Sequence, residues 1–247
     1  MATTRLLLLA MAPLAACGTP ARPTPATAPA PAAAPAPLPA PLRWMRRSAE
    51  YRALTRQIYA FAALRLDELA RGRPAGSWAV ILDADETVLD NSEYERRRAS
   101  VDSGYSDASW AMWVRERAAG VIPGAAAFTV TVRRLGGRVV IVTNRADSLC
   151  ADTRANLETA GIPTDVVLCM PPGESDKNPR FERVQHGTAA PGLSALTVVE
   201  WIGDNIQDFP HLTQDVRSDT TALAEFGRRF FVLPNPVYGS WERNQEP

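Results

Sequence analysis

Five carboxylates crowd into the stretch ILDADETVLDNSEY, residues 81–94: Asp83, Asp85, Glu86, Asp90 and Glu93. Held this close, like charges raise one another's pKa and destabilise a fold unless something positive neutralises them. Three later segments carry matching chemistry. Thr143-Asn144-Arg145 offers a hydroxyl, an amide and a guanidinium; Lys177 offers an ammonium; GDNIQDF, residues 203–209, offers Asp204 and Asp208. Hard oxygen ligands from Asp83, Asp204 and the Asp85 backbone carbonyl suit Mg²⁺, which retains waters and takes a substrate phosphate oxygen. A carboxylate relieved of repulsion in this way can attack phosphorus to give an aspartyl-phosphate. Thr143, Asn144, nearby backbone N–H groups and Lys177 would bind the charged equatorial oxygens. A second carboxylate two residues along could protonate the leaving alkoxide and then take a proton from water.

Such a constellation works only if separate parts of the chain bring it together. Between residues 78 and 234, the segments WAVILD, RVVIVT, VVLC, LTVVEWIG and RFFVLP read as short, buried, apolar strands. Helical stretches are predicted between most of them, at 125–135, 148–160 and 179–186, with Asn178 as an N-cap ahead of Pro179. Buried strands alternating with helices imply an α/β fold, a parallel sheet covered on both faces. Residues 43–71 carry helical periodicity ahead of the first strand. Residues 88–122 are too long for a loop and suit a small cap with one clear helix near 107–118. In open α/β sheets the ligand lies beyond the carboxyl ends of the strands. Asp83, Asp85, Thr143, Lys177, Asp204 and Asp208 all follow such ends.

Composition narrows the partner. Lys plus Arg equals Asp plus Glu at 27 each in a chain of 247 residues. That balance points to a small molecule rather than a nucleic-acid polymer. Of the basic residues 26 are Arg, so Lys177 is a solitary ammonium.

The N-terminus, MATTRLLLLAMAPLAACG, has a positive n-region and an apolar stretch too short to span a bilayer. Leu14-Ala15-Ala16-Cys17 resembles a bacterial lipobox, which makes residues 1–16 a signal peptide and Cys17 a lipidation site. Gly18 after Cys17 suggests, by analogy with known lipoproteins, the outer membrane of a bacterial envelope. Residues 20–41 then hold nine Pro and nine Ala, an extended spacer that sets the linker at 17–42 and the folded domain at 43–247.

DADET, TNR, Lys177 and GDNIQD resemble the four ordered motifs of the haloacid dehalogenase (HAD) superfamily. With DADETVLDNSEY, KNPRF and LPNPVYGSWE added, residues 78–242 resemble the class C (subfamily IIIB) acid phosphatases, the group of bacterial outer-membrane lipoprotein e. The resemblance implies a HAD-like Rossmannoid three-layer sheet with a small helical cap and Mg²⁺-dependent hydrolysis of phosphomonoesters. It makes Asp83 nucleophile and metal ligand, Asp85 general acid/base, Thr143 and Lys177 phosphate-binding, Asp204 a metal ligand and Asp208 a supporting carboxylate. It also gives the solitary Lys a reason, since the family uses an ammonium at that position. Two departures stand out: Ala84 between the two Asp, and ERRR (95–98) where relatives often carry an aromatic.

Relatives of this class act on nucleoside monophosphates and grip the base with aromatic side chains. Tyr94, Trp110, Trp113, Tyr238 and Trp241 are the candidates here, with core packing the competing role, above all for the tryptophans. The rival readings are a phosphatase of broad, non-nucleotide specificity and a surface-binding lipoprotein on a phosphatase fold. Glu86, Asp90 and Glu93 are expected as solvated or capping charges, and Arg96–Arg98 as an exposed face. Arg145 and Arg180 either flank the phosphate or serve the scaffold. Cys150 and Cys169 form a disulfide or remain two buried thiols.

Overall fold

The computed structural model describes residues 37–101, 103–219 and 221–245. The expected signal peptide, Cys17 and most of the Pro/Ala spacer lie outside them. Among the described residues the first helix begins at Ala40. Pro41 sits in the first turn of helix α1 (Ala40–Arg47), where its missing N–H costs nothing, and Leu42 is buried. The periodicity read as one helix is broken at Ser48, whose extended backbone ends α1 and whose side chain accepts from Tyr51 N at 3.0 Å. Ser48 thereby caps the long helix α2 (Ala49–Leu69).

Seven strands and five more helices follow. In chain order they are β1 (Trp78–Leu82), β2 (Leu89–Asp90), α3 (Ser92–Ser100), α4 (Asp107–Glu116), β3 (Gly120–Val121), α5 (Ala125–Arg134), β4 (Arg138–Ala146), α6 (Cys150–Thr159), β5 (Val166–Met170), α7 (Asn178–Gln185), β6 (Thr197–Gly203) and β7 (Phe230–Val232). Five strands form one parallel sheet in the order β5-β4-β1-β6-β7. Strand side chains alternate between two cores. Val80, Leu82, Val139 and Ile141 pack with residues of α2, α5 and α6, whereas Ala79, Ile81, Val140 and Val142 pack with Phe181 and Val184 of α7. The result is the expected three-layer, HAD-like α/β arrangement, with β1 at the centre. Strand order reverses on either side of β1, so the crevice opens at its carboxyl end.

The insert after β1 is closed by the antiparallel pair β2–β3. It holds two helices rather than the one expected. Helix α3 was masked in the sequence by its charge, and it is Tyr94 and Ser92 that turn inward. Ahead of α7 the predicted N-cap is displaced: Lys177, not Asn178, precedes the helix, and Asn178 N donates to Asp176 Oδ1 at 2.9 Å. Cys150 at the start of α6 and Cys169 in β5 are joined as a disulfide. Among the described residues no helix is long and apolar enough to cross a membrane.

A carboxylate hides inside the apolar strand β6. Glu200 is fully buried, and neither of its oxygens has a hydrogen-bond partner. Burial pushes its carboxyl up to about 9, against the opposing pull of Arg65. An unfolded Glu titrates near 4.3, so between those values the folded chain holds a proton that the unfolded chain releases. Stability from this group is therefore full at low pH and lost as pH rises through the window. Glu200→Gln should match wild type near pH 5 and exceed it at pH 8 by about 2–5 kcal/mol in urea unfolding; a difference that does not grow with pH would contradict this assignment.

Candidate active site

Every motif residue singled out above reaches the carboxyl rim of the sheet. Asp83 follows β1 directly, its N–H bonded to Ile202 O of β6 at 3.0 Å. The chain then turns sharply: Val88 N and Leu89 N both donate to Ala84 O, and Glu86 adopts a left-handed φ of 50°. That conformation is uncommon for a residue with a Cβ. Here it is held by the Glu86 carboxylate, which accepts from Asn91 N at 2.8 Å and Asn91 Nδ2 at 3.3 Å. Of the two expected roles, solvated or capping, Glu86 takes the second: it is a buried tie to Asn91 at the start of α3, and burial raises its pKa well above the usual carboxylate range.

Asp83, Asp204 and Asp208 converge so that one carboxylate oxygen from each lies within 4.8 Å of the others. Lys177 Nζ donates to Asp83 Oδ1 at 2.5 Å and to Asp208 Oδ1 at 2.6 Å. Burial first, then the neighbouring carboxylates, push Asp83 and Asp204 up. For Lys177, burial opposes the charge, but Asp208 and Asp83 outweigh it and hold the ammonium up. The turn that presents Asp208 depends on Gly203, because a Cβ there would stand 2.2 Å from the Asp208 Cβ. Asp208 Oδ2 accepts from Asn205 N at 2.8 Å. Asp204 is fixed by Thr87 Oγ1 at 3.1 Å and by Asn235 Nδ2 at 2.9 Å. Three hard carboxylates against one ammonium leave an excess of negative charge that fits a hard divalent cation.

Asp85 is not part of that triplet. Its carboxylate receives Arg145 Nε at 2.9 Å, Arg145 Nη2 at 2.7 Å and Asn91 Nδ2 at 2.8 Å. Only its backbone carbonyl is left for the ligand role expected of it. Asp208, expected as a supporting carboxylate near the metal, stands in the triplet with both oxygens already accepting hydrogen bonds. Arg145 is fully buried with its guanidinium 5.4 Å from the Trp110 ring centre. Arg180 is likewise buried and donates to Thr143 O at 2.6 Å and Asn144 Oδ1 at 2.6 Å. Neither arginine lines the cavity; both bond to residues of the rim from beneath it.

A cavity of about 530 Å³ opens above these carboxylates, within the range of small-molecule sites. Asp83, Asp85, Asn144 and Lys177 line its base. Thr143 does not line it; it is fully buried, and its Oγ1 accepts from Arg145 N at 3.1 Å. Tyr94, Trp110 and Tyr238 form part of the wall. Trp113, by contrast, is core: its Nε1 donates to Asn91 Oδ1 at 2.8 Å. Arg98 also reaches the cavity, so the expected exposed arginine face holds only for Arg96 and Arg97. Burial pushes the adjacent Glu95 carboxyl up, Arg98 pulls it down and Glu242 adds to the rise.

Sequence reasoning missed Asn91 and Asn235. Each follows a strand within a motif that had been quoted, and an amide among so many carboxylates was the available signal.

A parallel sheet with a capped, acidic carboxyl rim defines a HAD-type phosphatase. A family profile described as HAD superfamily, subfamily IIIB (acid phosphatase) matches residues 23–241. The class C acid phosphatase from Bacillus anthracis is 31% identical, with a TM-score of 0.72 over 82% of this chain and 85% of that one. The same Bacillus anthracis enzyme with tungstate bound matches over the same shares at 30% identity and a TM-score of 0.71. The chain belongs to the subfamily IIIB acid phosphatases of the HAD superfamily. It is an acid phosphatase, and small phosphomonoesters are its substrates.

The crowding of the triplet makes a prediction without any reference to turnover. Asp204→Asn should raise the thermal midpoint of the chelated protein, because one of three mutually repelling carboxylates, the half-buried one, is gone. If the triplet holds a divalent cation, the substitution should also shrink the stabilisation that added Mg²⁺ or another divalent cation gives through linkage. A variant less stable than wild type in chelator, yet equally stabilised by Mg²⁺, would contradict both parts.

Proposed function

We propose that this acid phosphatase is Mg²⁺-dependent and hydrolyses nucleoside monophosphates through an aspartyl-phosphate on Asp83. The observation that carries the reading is the division of labour between two neighbouring carboxylates. Asp83 faces the cavity with one oxygen held by Lys177. Asp85 stands two residues on, turned into a separate network by Arg145 and Asn91.

Asp83, Asp204 and the Asp85 carbonyl, with Asp208 close by, would hold the cation. When bound, Mg²⁺ supplies positive charge against the substrate phosphate and the crowded carboxylates. An Asp83 oxygen forms the new bond to phosphorus as the bond to the leaving oxygen breaks. Asp85 gives its proton to that leaving oxygen, then takes one from the water that attacks the phosphoryl group and frees Asp83. Lys177 and Asn144, at the cavity base, meet the charged phosphoryl oxygens. Thr143 shapes the same rim from below the lining. The tungstate complex of the Bacillus anthracis relative supports an oxyanion site of this kind, since tungstate is tetrahedral like phosphate.

The nucleotide preference is supported by the wall. Trp110 and Tyr238 flank a cavity too large for phosphate alone, and base stacking on such rings contributes about 1–3 kcal/mol per base; Tyr94, buried against Trp110 and Trp113, backs the wall. The lipobox supports a place in a bacterial cell envelope, anchored at Cys17 and facing from the outer membrane.

Purified protein should release phosphate from p-nitrophenyl phosphate, lose this with chelator and regain it with Mg²⁺. Asp83→Asn should lower kcat by at least about 10³-fold while keeping the wild-type fold by circular dichroism. Nucleoside monophosphates should exceed sugar phosphates in kcat/KM by about tenfold or more, as one stacked base provides. Retained activity in Asp83→Asn, or a sugar phosphate as best substrate, would refute the corresponding part.

A further inference from the structure

Beyond the catalytic carboxylates, the cavity wall carries an ion pair that nothing in the reaction uses. Arg98, in the last turn of α3, lies with its guanidinium 5.2 Å from the Tyr94 ring centre and 5.8 Å from that of Tyr105. Its Nη1 donates to Glu95 Oε1 and Oε2, at 3.2 Å each. Only that end of the fork is engaged. Among the described residues, Nε is buried with no partner. Guanidinium donors have fixed directions, and a buried donor without an acceptor is costly. Glu95, one helical turn back, accepts from this one nitrogen alone and keeps lone pairs to spare. Both residues line the cavity. Nε is enclosed by protein, but Nη2 makes no hydrogen bond among the described residues and is not buried, so a donor and the Glu95 acceptor sit side by side on the cavity wall.

We propose that the Arg98–Glu95 pair reads the base of a nucleotide substrate and selects keto bases over amino bases. The inference rests on the nucleotide reading above and goes further by assigning identity to a wall that otherwise only stacks. Guanine, hypoxanthine and uracil present a carbonyl oxygen next to a ring N–H. Arg98 donates to the first and Glu95 accepts from the second. Adenine and cytosine present the reverse pattern, an amino group beside a bare ring nitrogen, so donor meets donor and acceptor meets acceptor. Tyr94 and Trp110 do not distinguish these bases, because every base has a π-face. A site built to hydrogen-bond one edge rejects an analogue that lacks it far more strongly than an apolar pocket does.

Inosine and adenosine 5'-monophosphate test this directly, since they share ring size and sugar and differ only at the edge in question. In wild type, kcat/KM for the inosine nucleotide should exceed that for the adenosine nucleotide by at least about tenfold, the scale of one bidentate contact. The ratio should fall to about one in Arg98→Met, and Arg98→Lys, which keeps the charge but loses the fork, should not restore it. Glu95→Gln should also lower it, because its amide can donate to adenine's ring nitrogen. Each ratio is internal to one preparation, so partial misfolding cancels. A wild-type ratio near one with both nucleotides turned over well would overturn the base-reading role alone. A ratio that survives Arg98→Met would do the same. Neither nucleotide outpacing glycerol phosphate would overturn the nucleotide reading and this inference with it.

Discussion

One ammonium placed between buried carboxylates holds the catalytic rim together. Lys177 Nζ bonds to Asp83, which follows β1, and to Asp208, in the turn after β6. It enters from the residue preceding α7. Three chain segments, far apart in sequence, are thus fastened at a single point. Breaking a buried pair of this kind by removing one partner costs about 3–5 kcal/mol, since the charge left behind is uncompensated. A compact ammonium can touch two carboxylate oxygens from one centre, where a guanidinium fork would need a wider opening. That geometry explains why the one Lys in a chain with 26 Arg stands here. Even so, one positive charge cannot balance three carboxylates, and the remaining imbalance is what gives the rim its affinity for a divalent cation.

A second knot keeps Asp85 apart from this triplet. Asn91 donates to Asp85 and Glu86 and accepts from Trp113 and Arg145. It therefore joins the catalytic turn to α4 of the cap and to β4 of the sheet. The strained backbone at Glu86 is stabilised by the same residue, through two hydrogen bonds to the buried carboxylate. Such ties have to be nearly complete, because an unsatisfied polar group in a dry interior costs more than the bond it would make in water. Their effect is functional as well as structural. Two carboxylates separated by a single residue are given different partners, and different partners are what allow different roles.

Legibility in the sequence followed the strength of local signals. The five sheet strands were readable as apolar runs, since a parallel sheet buries both faces and leaves no alternation to interpret. Asp83, Asp204 and Lys177 were readable because their chemistry recurs at strand ends. Helix α3 was not, for ERRR places arginines all round it, and its inward positions are a Tyr and a Ser. Glu200 was passed over inside an apolar run, and the break at Ser48 was hidden by periodicity continuing on both sides. The destinations of Arg145 and Arg180 were beyond reach for a different reason. A guanidinium flanking a phosphate and one holding a neighbouring carboxylate or carbonyl have the same sequence signature, and only tertiary contacts tell them apart. The disulfide between Cys150 and Cys169 was open for the same cause, because spacing does not fix which thiols meet.

The same contacts bind recognition to chemistry. Trp110, part of the wall that faces the leaving group, lies against the guanidinium that grips Asp85. Tyr238 sits in the loop where Asn235 holds Asp204 by its amide nitrogen and accepts Val237 N and Tyr238 N by its oxygen. Each side of the cavity wall is thus one residue removed from a carboxylate of the rim. Side chains on that wall cannot shift without pulling on Asp85 or on the acidic rim. Arg98 and Glu95 are the exception, since their bonds run to each other and to the tyrosine faces rather than to the rim. On the base-reading role proposed for Arg98 and Glu95, the identity of the leaving group could change at α3 while the rim at the sheet stays intact.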